Sequence, residues 1–182
     1  PTIIFTLEKL TSINLSGNQI NDVTDHQFAN LMSIDKVDIS YNSIKAINFK
    51  KVECPKCTNL NMKGNNLEKF PKAISQIKTL EKLDLSENKI STFSDDAFLE
   101  LENLTELDLS HNQLTYLPTS IGRLTKLKRL NLSGNSISIL PLEFENLTSL
   151  ESLELDGNPI GKIPIEISNQ DVPGIINYYL SL

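Results

Sequence analysis

An eleven-position frame recurs along the chain and constrains what it can fold into. The frame reads L-x-x-L-x-L-x-x-N-x-I, with conservative changes, and its seven copies begin at Leu10, Ile34, Cys57, Leu80, Leu104, Leu127 and Leu150. The asparagines of successive copies are 23 or 24 residues apart. A repeat of this period is typical of a solenoid, in which each copy forms one coil and stacks on its neighbours.

The frame predicts one short strand in each coil. Apolar positions 4 and 6 alternate with polar ones, which is the period-two pattern of a strand with one buried face. Stacked coils then join these strands into one parallel sheet. The asparagine follows the strand, where its amide can satisfy backbone groups in the buried turns. We therefore predict a structural ladder of Asn18, Asn42, Asn65, Asn88, Asn112, Asn135 and Asn158.

The chain divides into three predicted parts. Residues 1–9 repeat the apolar spacing of later return segments, so we expect them to be the tail of a truncated preceding repeat. Such a coil would present an uncapped apolar edge through which the chain could self-associate. Seven repeats occupy residues 10–167. Residues 168–182 predict a C-terminal capping helix with Asp171 at its N-cap.

The segments between strands predict a convex side of mixed character. Most returns carry a proline three residues before Ile or Phe, which suits an extended or turn-like path. The two longer copies carry a phenylalanine within residues 25–31 and 95–101, and Asp25 or Asp95 is expected to cap a short helical turn there. Residues 45–56 fit neither type, and we expect an irregular segment.

These features are similar to those of leucine-rich repeat proteins over nearly the whole chain. The resemblance implies an α/β solenoid, a horseshoe with a parallel concave sheet and a mixed extended and short-helix convex side. The stretch LTYLPTSIGRLTKL, residues 114–127, resembles the 23-residue intracellular class of Ras-suppressor, Ras-scaffold and Roco proteins. The 24-residue copy at residues 90–104 instead resembles the class common in extracellular receptors.

The composition argues against several classes of function. A net charge of −6 and a pI of about 5.0 disfavour nucleic acid as a partner. No apolar run is long enough to predict membrane insertion. Cys54 and Cys57 form one C-x-x-C without a second pair, so we interpret Cys57 as a structural residue and predict neither metal nor cofactor.

The resemblance implies that a partner binds the concave sheet through frame positions 3, 5, 7 and 8. The acidic residues at position 5 have two interpretations: this type of repeat prefers Asn or Asp there, or the residues form an acidic stripe that attracts a basic partner segment. Tyr41 and Arg129 are the preferred anchors, because binding hot spots favour tyrosine and arginine. The predicted partner-binding residues are Lys36, Asp38, Tyr41, Lys82, Asp84, Glu87, Glu106, Asp108, His111, Arg129 and Glu154.

No catalytic constellation is visible, so the chain is not expected to be an enzyme. We expect a cytoplasmic protein–protein interaction module within a larger signalling or scaffold protein, its partner a basic segment or a small GTPase-type signalling protein. One alternative is an extracellular or host-directed recognition domain of a receptor or effector, weakly supported by N-x-S/T sequons at Asn14, Asn103, Asn131 and Asn146. Another alternative is a regulatory domain of a larger GTPase, kinase or phosphatase.

Overall fold

The computed structural model describes residues 9–47, 56–160 and 171–181. Within them, seven parallel strands form one sheet whose order follows the sequence, as predicted for a leucine-rich repeat horseshoe. The strands are β1 (Ser12–Asn14), β2 (Lys36–Asp38), β3 (Asn59–Asn61), β4 (Lys82–Asp84), β5 (Glu106–Asp108), β6 (Arg129–Asn131) and β7 (Ser152–Glu154).

The register of the sheet aligns equal frame positions on neighbouring strands. Leu83 in β4 pairs with Leu107 in β5, and Leu107 pairs with Leu130 in β6. The ladder continues just beyond each strand, where Leu85 N donates to Asp108 O at 2.9 Å. Because register matches the frame, the buried leucines stack into columns inside the solenoid and the polar positions form columns on the concave face.

The core fills the space between the sheet and the convex returns. Its leucine and isoleucine side chains are almost fully buried in the central coils. Phe70, Phe93 and Phe98 pack together across two adjacent coils, with ring centroids 5.2–5.5 Å apart. Such aromatic contacts add geometric specificity to the burial that stabilises each coil interface.

Three proline-containing returns among the described residues form 3-10 helices rather than fully extended segments. Pro118 and Pro141 hold extended backbone angles, and a 3-10 helix begins at the next residue of each return. Proline suits this entry position because its ring fixes φ and because it has no backbone N–H that would need a hydrogen-bond acceptor. The 3-10 helices are Ile74–Gln76, Thr119–Arg123 and Leu142–Asn146.

The two longer returns differ from each other. Asp25–Leu31 forms helix α1, whereas residues 95–100 form successive turns. The side chain of Asp25 lies outside what the structure describes, so its expected capping role stays a prediction. At the start of helix α1, Thr24 Oγ1 accepts from Gln27 N at 3.4 Å, and Gln27 Oε1 accepts from Thr24 N at 3.0 Å. This reciprocal capping box needs Glu or Gln three residues after the cap. The second return has Ala97 in that place, and its helix is absent.

Helix α2, Val172–Leu180, packs its apolar face against the solenoid. The predicted N-cap is confirmed, because Asp171 Oδ1 accepts a hydrogen bond from Gly174 N at 3.0 Å. Ile176 and Tyr179 are buried. The predictions for residues 1–8, 48–55 and 161–170 fall outside the described residues, so the division at residues 9 and 167 stays a prediction.

Candidate functional site

A groove runs along the concave face across all seven strands. Its volume is about 570 Å³. Frame positions 3 and 5 supply its polar lining, and the buried apolar residue between them forms its floor. The polar residues are Ser12, Asn14, Lys36, Asp38, Asn59, Asn61, Lys82, Asp84, Glu106, Asp108, Arg129, Asn131, Ser152 and Glu154.

The cations at the centre of this groove are already paired. Lys82 Nζ lies 2.7 Å from Glu106 Oε1, and Arg129 forms an ion pair with the same oxygen. Burial acts to raise the pKa of Glu106, but hydrogen bonds and charge from Lys82 and Arg129 outweigh it and lower that pKa. Glu106 therefore stays ionised and holds both cations across three adjacent strands.

The carboxylates at position 5 have a structural role as well as a charge. One oxygen each of Asp38, Asp84 and Asp108 accepts two hydrogen bonds, from the backbone N and the hydroxyl of the serine two residues later, at 2.6–2.9 Å. Asn14 and Asn131 make the same two contacts through their amide oxygens. An Asn or Asp followed two residues later by Ser thus fixes the exit of five of the seven strands, β1, β2, β4, β5 and β6.

The pKa of the Asp84 carboxyl is shifted by its surroundings. Burial raises its pKa, hydrogen bonds from Ser86 lower it, and the neighbouring charge of Asp108 raises it again. The net pKa shift is upward. Asp84 and Asp108 are adjacent because β4 and β5 pair in register, so two negative charges lie side by side in the groove.

No residue at position 7 or 8 lines the groove, and their expected part in partner binding stays a prediction. Three of the five serines at position 7 are buried at the strand exits, namely Ser40, Ser86 and Ser110. At position 8 Tyr41, Glu87 and His111 lie in the turns at its edge, outside the groove lining. Glu87 there pairs with Lys63 at 3.1 Å.

Position 8 has left-handed backbone in all seven coils. Gly17, Gly64, Gly134 and Gly157 adopt φ of 65–74°, and Tyr41, Glu87 and His111 adopt φ of 50–54°. The rings of Tyr41 and His111 lie over the glycine of the following coil. A Cβ added to Gly64 would be 2.5 Å from Tyr41 Cδ1, and one added to Gly134 would be 2.6 Å from His111 Nδ1.

The frame asparagines form hydrogen bonds between coils. Asn88 Oδ1 accepts from Leu67 N at 3.0 Å, and its Nδ2 donates to Met62 O at 3.0 Å and to its own coil. Asn42, Asn65, Asn112, Asn135 and Asn158 repeat this arrangement. Asn18 differs, since its amide nitrogen bonds carbonyls of its own coil.

Cys57 lies in the core, and burial raises the pKa of its thiol to about 12. Its structural interpretation accords with this setting, because a neutral buried thiol is a poor nucleophile and metal ligand. Cys54 is outside the described residues. Among those described, no three His, Cys, Asp or Glu side chains are grouped to hold a metal ion.

Sequence reasoning omitted several groove residues. Asn59, Asn61 and Ser152 line it beside the charged candidates. Their place at positions 3 and 5 was a sufficient signal, but the predicted set contains only charged and ring-bearing residues. The left-handed backbone at position 8 also had a signal, the glycines in four of its seven copies.

A parallel solenoid whose coils share one eleven-position frame and an asparagine ladder defines a class of repeat protein. The family model for the leucine-rich repeat matches residues 8–67, 55–114 and 117–160. The chain belongs to the leucine-rich repeat family.

Similar proteins extend this assignment. Mouse osteomodulin is 35% identical over 109 residues, which cover 58% of this chain and 25% of osteomodulin. A solved leucine-rich repeat protein of Leptospira interrogans is 31% identical with a TM-score of 0.62, covering 87% of this chain and 46% of that protein. The structure of TLR13 in complex with a single-stranded RNA is 27% identical with a TM-score of 0.73, and the match covers 86% of this chain and 23% of TLR13.

The chain thus spans about a quarter of the curated relatives' length. Among the matched relatives, osteomodulin, keratocan and tsukushi are leucine-rich repeat proteins of the extracellular type. They favour the extracellular alternative over the expected cytoplasmic location and do not establish the 23-residue intracellular class. In the described part of the chain, no helix has both the length and the apolar character needed to cross a membrane.

Proposed function

We propose that the chain is a non-catalytic protein-binding module that holds a basic partner segment in its concave groove. The observation that carries this proposal is the net negative charge of the groove lining, which contains five carboxylates and three cations. Glu106 is occupied by Lys82 and Arg129, so the unbalanced charge lies along position 5.

The position 5 carboxylates are suited to attract such a segment. One oxygen of Asp38 or Asp84 is held by the serine two residues later, which leaves the second oxygen for a partner. Asp108 is held by Ser110 in the same way, and its second oxygen accepts only a long contact of 3.5 Å from Asn131 Nδ2. These carboxylates are also fixed in place by the same bonds, so little side-chain entropy is lost on binding. Charge of this kind speeds association and makes it salt-dependent. The same negative charge argues against RNA as the ligand of this groove.

The experiment compares two double variants of equal charge change. Asp84→Asn with Asp108→Asn removes two groove charges and keeps the amide oxygen that accepts from serine, as Asn131 does in the same column. Glu102→Gln with Glu145→Gln removes two exposed convex charges. Partners are captured with wild-type protein from lysate and from the extracellular fraction of the source, and Kd is measured for each variant by calorimetry.

We expect the groove variant to bind about tenfold or more weakly, ~1.4 kcal/mol, and the convex control to bind as wild type does. The salt dependence of binding should also fall in the groove variant. Equal binding by both variants contradicts the proposal. Circular dichroism of each variant shows that it retains the solenoid.

The location of the partner is a second question, and the osteomodulin match supports an extracellular recognition domain. If the captured partner comes from the extracellular fraction, this alternative holds. If it comes from the lysate alone, the signalling or scaffold alternative holds.

A further inference from the structure

The four N-x-S/T sequons occupy different environments in the solenoid. N-linked glycosylation joins a sugar to Asn Nδ2, so a folded site must leave that atom free and provide space around it. The sequons begin at Asn14, Asn103, Asn131 and Asn146.

Two of the sequons lie on the concave sheet. Asn14 is in β1 and Asn131 is in β6, and both line the groove. Their amide oxygens are held by Ser16 and Ser133, the hydroxyl residues of the two sequons. Asn131 Nδ2 also lies 3.5 Å from Asp108 Oδ2. A sugar at either position would fill the groove and obstruct its partner.

The third sequon is fixed between coils. Asn103 Nδ2 donates to Lys78 O at 2.8 Å, and Asn103 Oδ1 accepts from Lys126 Nζ at 2.7 Å. The sequon hydroxyl of Thr105 donates to Glu81 O at 3.0 Å. Its amide therefore bridges the preceding and following coils and is not available without breaking those contacts.

Asn146 differs from the other three. It ends the 3-10 helix Leu142–Asn146 on the convex side, and both it and its sequon partner Thr148 are exposed. Its amide makes no hydrogen bond to any described residue, and its Nδ2 rests near Gly122 of the preceding coil. Rotation of this exposed side chain suffices to free Nδ2.

The convex surface beside Asn146 has room for a sugar. A shallow groove of about 920 Å³ runs over the returns of three coils there. Polar side chains including Thr119, Arg123 and Lys126 line it and can donate to carbohydrate hydroxyls.

We propose that Asn146 is the N-glycosylation site of this chain, an inference that rests on the extracellular alternative of the proposed function. Asn146 Nδ2 forms the bond to C1 of the first sugar of a lipid-pyrophosphate-linked oligosaccharide. The bond from C1 to the pyrophosphate oxygen breaks, lipid pyrophosphate leaves, and the amide loses one proton. The glycan then projects from the convex side and leaves the concave groove open.

The test is site occupancy in the chain secreted from eukaryotic cells behind a secretory leader. Intact glycopeptide mass spectrometry is applied to wild type, Asn146→Gln, Thr148→Ala and Thr148→Ser. We expect glycan at Asn146 in most wild-type and Thr148→Ser molecules and none at that site in the other two variants. Asn14 and Asn131 should be unmodified in the molecules that bind the partner.

An unmodified Asn146 in the secreted chain overturns the inference, whether or not another sequon carries glycan. The serine variant shows that loss in Thr148→Ala follows from the missing hydroxyl rather than from misfolding. Bacterial, unglycosylated protein serves in the groove-binding experiment. A chain that binds there but lacks glycan at Asn146 therefore contradicts this inference alone, and a chain that carries the glycan but does not bind contradicts only the proposed function.

Discussion

At the scale of single residues, position 8 of the frame has the strictest backbone requirement within the described residues. A left-handed backbone costs an L-residue roughly 1–2 kcal/mol, which explains the glycine in four of seven copies. Tyr41 and His111 meet the same requirement and cover the next glycine with a ring. Each ring thus depends on a residue without a side chain in the following coil.

Replacement of Gly64 by alanine should be more damaging than replacement of Gly17. Both glycines have positive φ, but an added Cβ at Gly17 meets nothing within 4 Å, whereas at Gly64 it meets the Tyr41 ring. We expect a loss of about 1 kcal/mol for Gly17→Ala from the backbone alone. Gly64→Ala should lose ~1–3 kcal/mol more through overpacking.

Urea denaturation measures both variants. Tyr41→Ala in the Gly64→Ala background should recover most of the additional loss, because it removes the ring that the methyl group contacts. Equal losses at the two glycines would show that the ring moves aside freely.

Asn88→Leu should reduce the free energy of unfolding by about 1–3 kcal/mol, since it leaves buried backbone groups of two coils unpaired. Those groups include Leu67 N and Met62 O. Asn18→Leu is the matched control, because Asn18 bonds carbonyls of its own coil and lies in an exposed turn. Thermal melting that gives the same loss for both would contradict an inter-coil role.

Asp84→Asn should raise the melting temperature at pH 7. Folding raises the pKa of Asp84, so the folded chain binds this proton more tightly than the unfolded chain does. The stabilisation that comes from the protonated Asp84 carboxyl is complete at pH values below its ordinary pKa of 3.8. It is lost as the pH rises through the higher pKa that this carboxyl has in the folded chain. Asparagine imitates the protonated group and keeps the acceptor for Ser86.

The advantage of Asp84→Asn should therefore shrink as pH falls toward 3.8. Asp95→Asn, on the exposed convex side, makes the same change of charge and should leave the melting temperature nearly unaltered. An Asp84→Asn advantage that persists at low pH would mean that ionisation is not its cause.

At the scale of elements, the strands were predictable and the returns were predictable only in part. Positions 4 and 6 determine each strand because a register slip would expose every leucine. The returns depend on reciprocal contacts, which a search for single capping residues does not find. Thr24 with Gln27 closes helix α1, and the second long return has Ala97 where the reciprocal partner would stand.

Helix α2 offers a test of capping in isolation. Asp171→Ala removes the acceptor for Gly174 N and should destabilise the helix by about 0.5–2 kcal/mol, whereas Asp171→Asn should be nearly neutral because asparagine is an equally good cap. Hydrogen exchange of residues 174–180 reports the effect. Unchanged protection in the alanine variant would show that packing of Ile176 and Tyr179 alone holds the helix.

The candidate site shows the same limit of sequence reasoning. The columns at positions 3 and 5 follow from the frame, so their place on one face could be predicted. The ion pairs of Glu106 and the bonds from serine to Asp84 could not, because rotamers and the distances between coils decide them. The frame also does not predict that Ser86, at position 7, is buried while Tyr41, at position 8, is exposed, because both positions are polar sites next to the frame asparagine.

At the scale of the whole molecule, stability should rise from the first coil toward the centre. A segment opens more readily where fewer of its apolar side chains are buried. Ile13 and Leu15 in the first coil are only partly buried, whereas Leu83 and Leu85 are fully inside. Hydrogen exchange with mass spectrometry should show residues 10–20 exchanging well before residues 80–90, and uniform protection would indicate a single cooperative unit.

The ring-over-glycine contact restricts which coil can follow the second and the fifth coils. A duplicated second coil would place Tyr41 over another tyrosine, and a duplicated fifth coil would place His111 over another histidine. Coils that carry glycine at position 8 tolerate either neighbour on that side. Duplication of a coil that has glycine at position 8 is therefore compatible with this packing. The coils that carry Tyr41 and His111 instead need a coil with glycine at position 8 after them, which limits where recombination can place them.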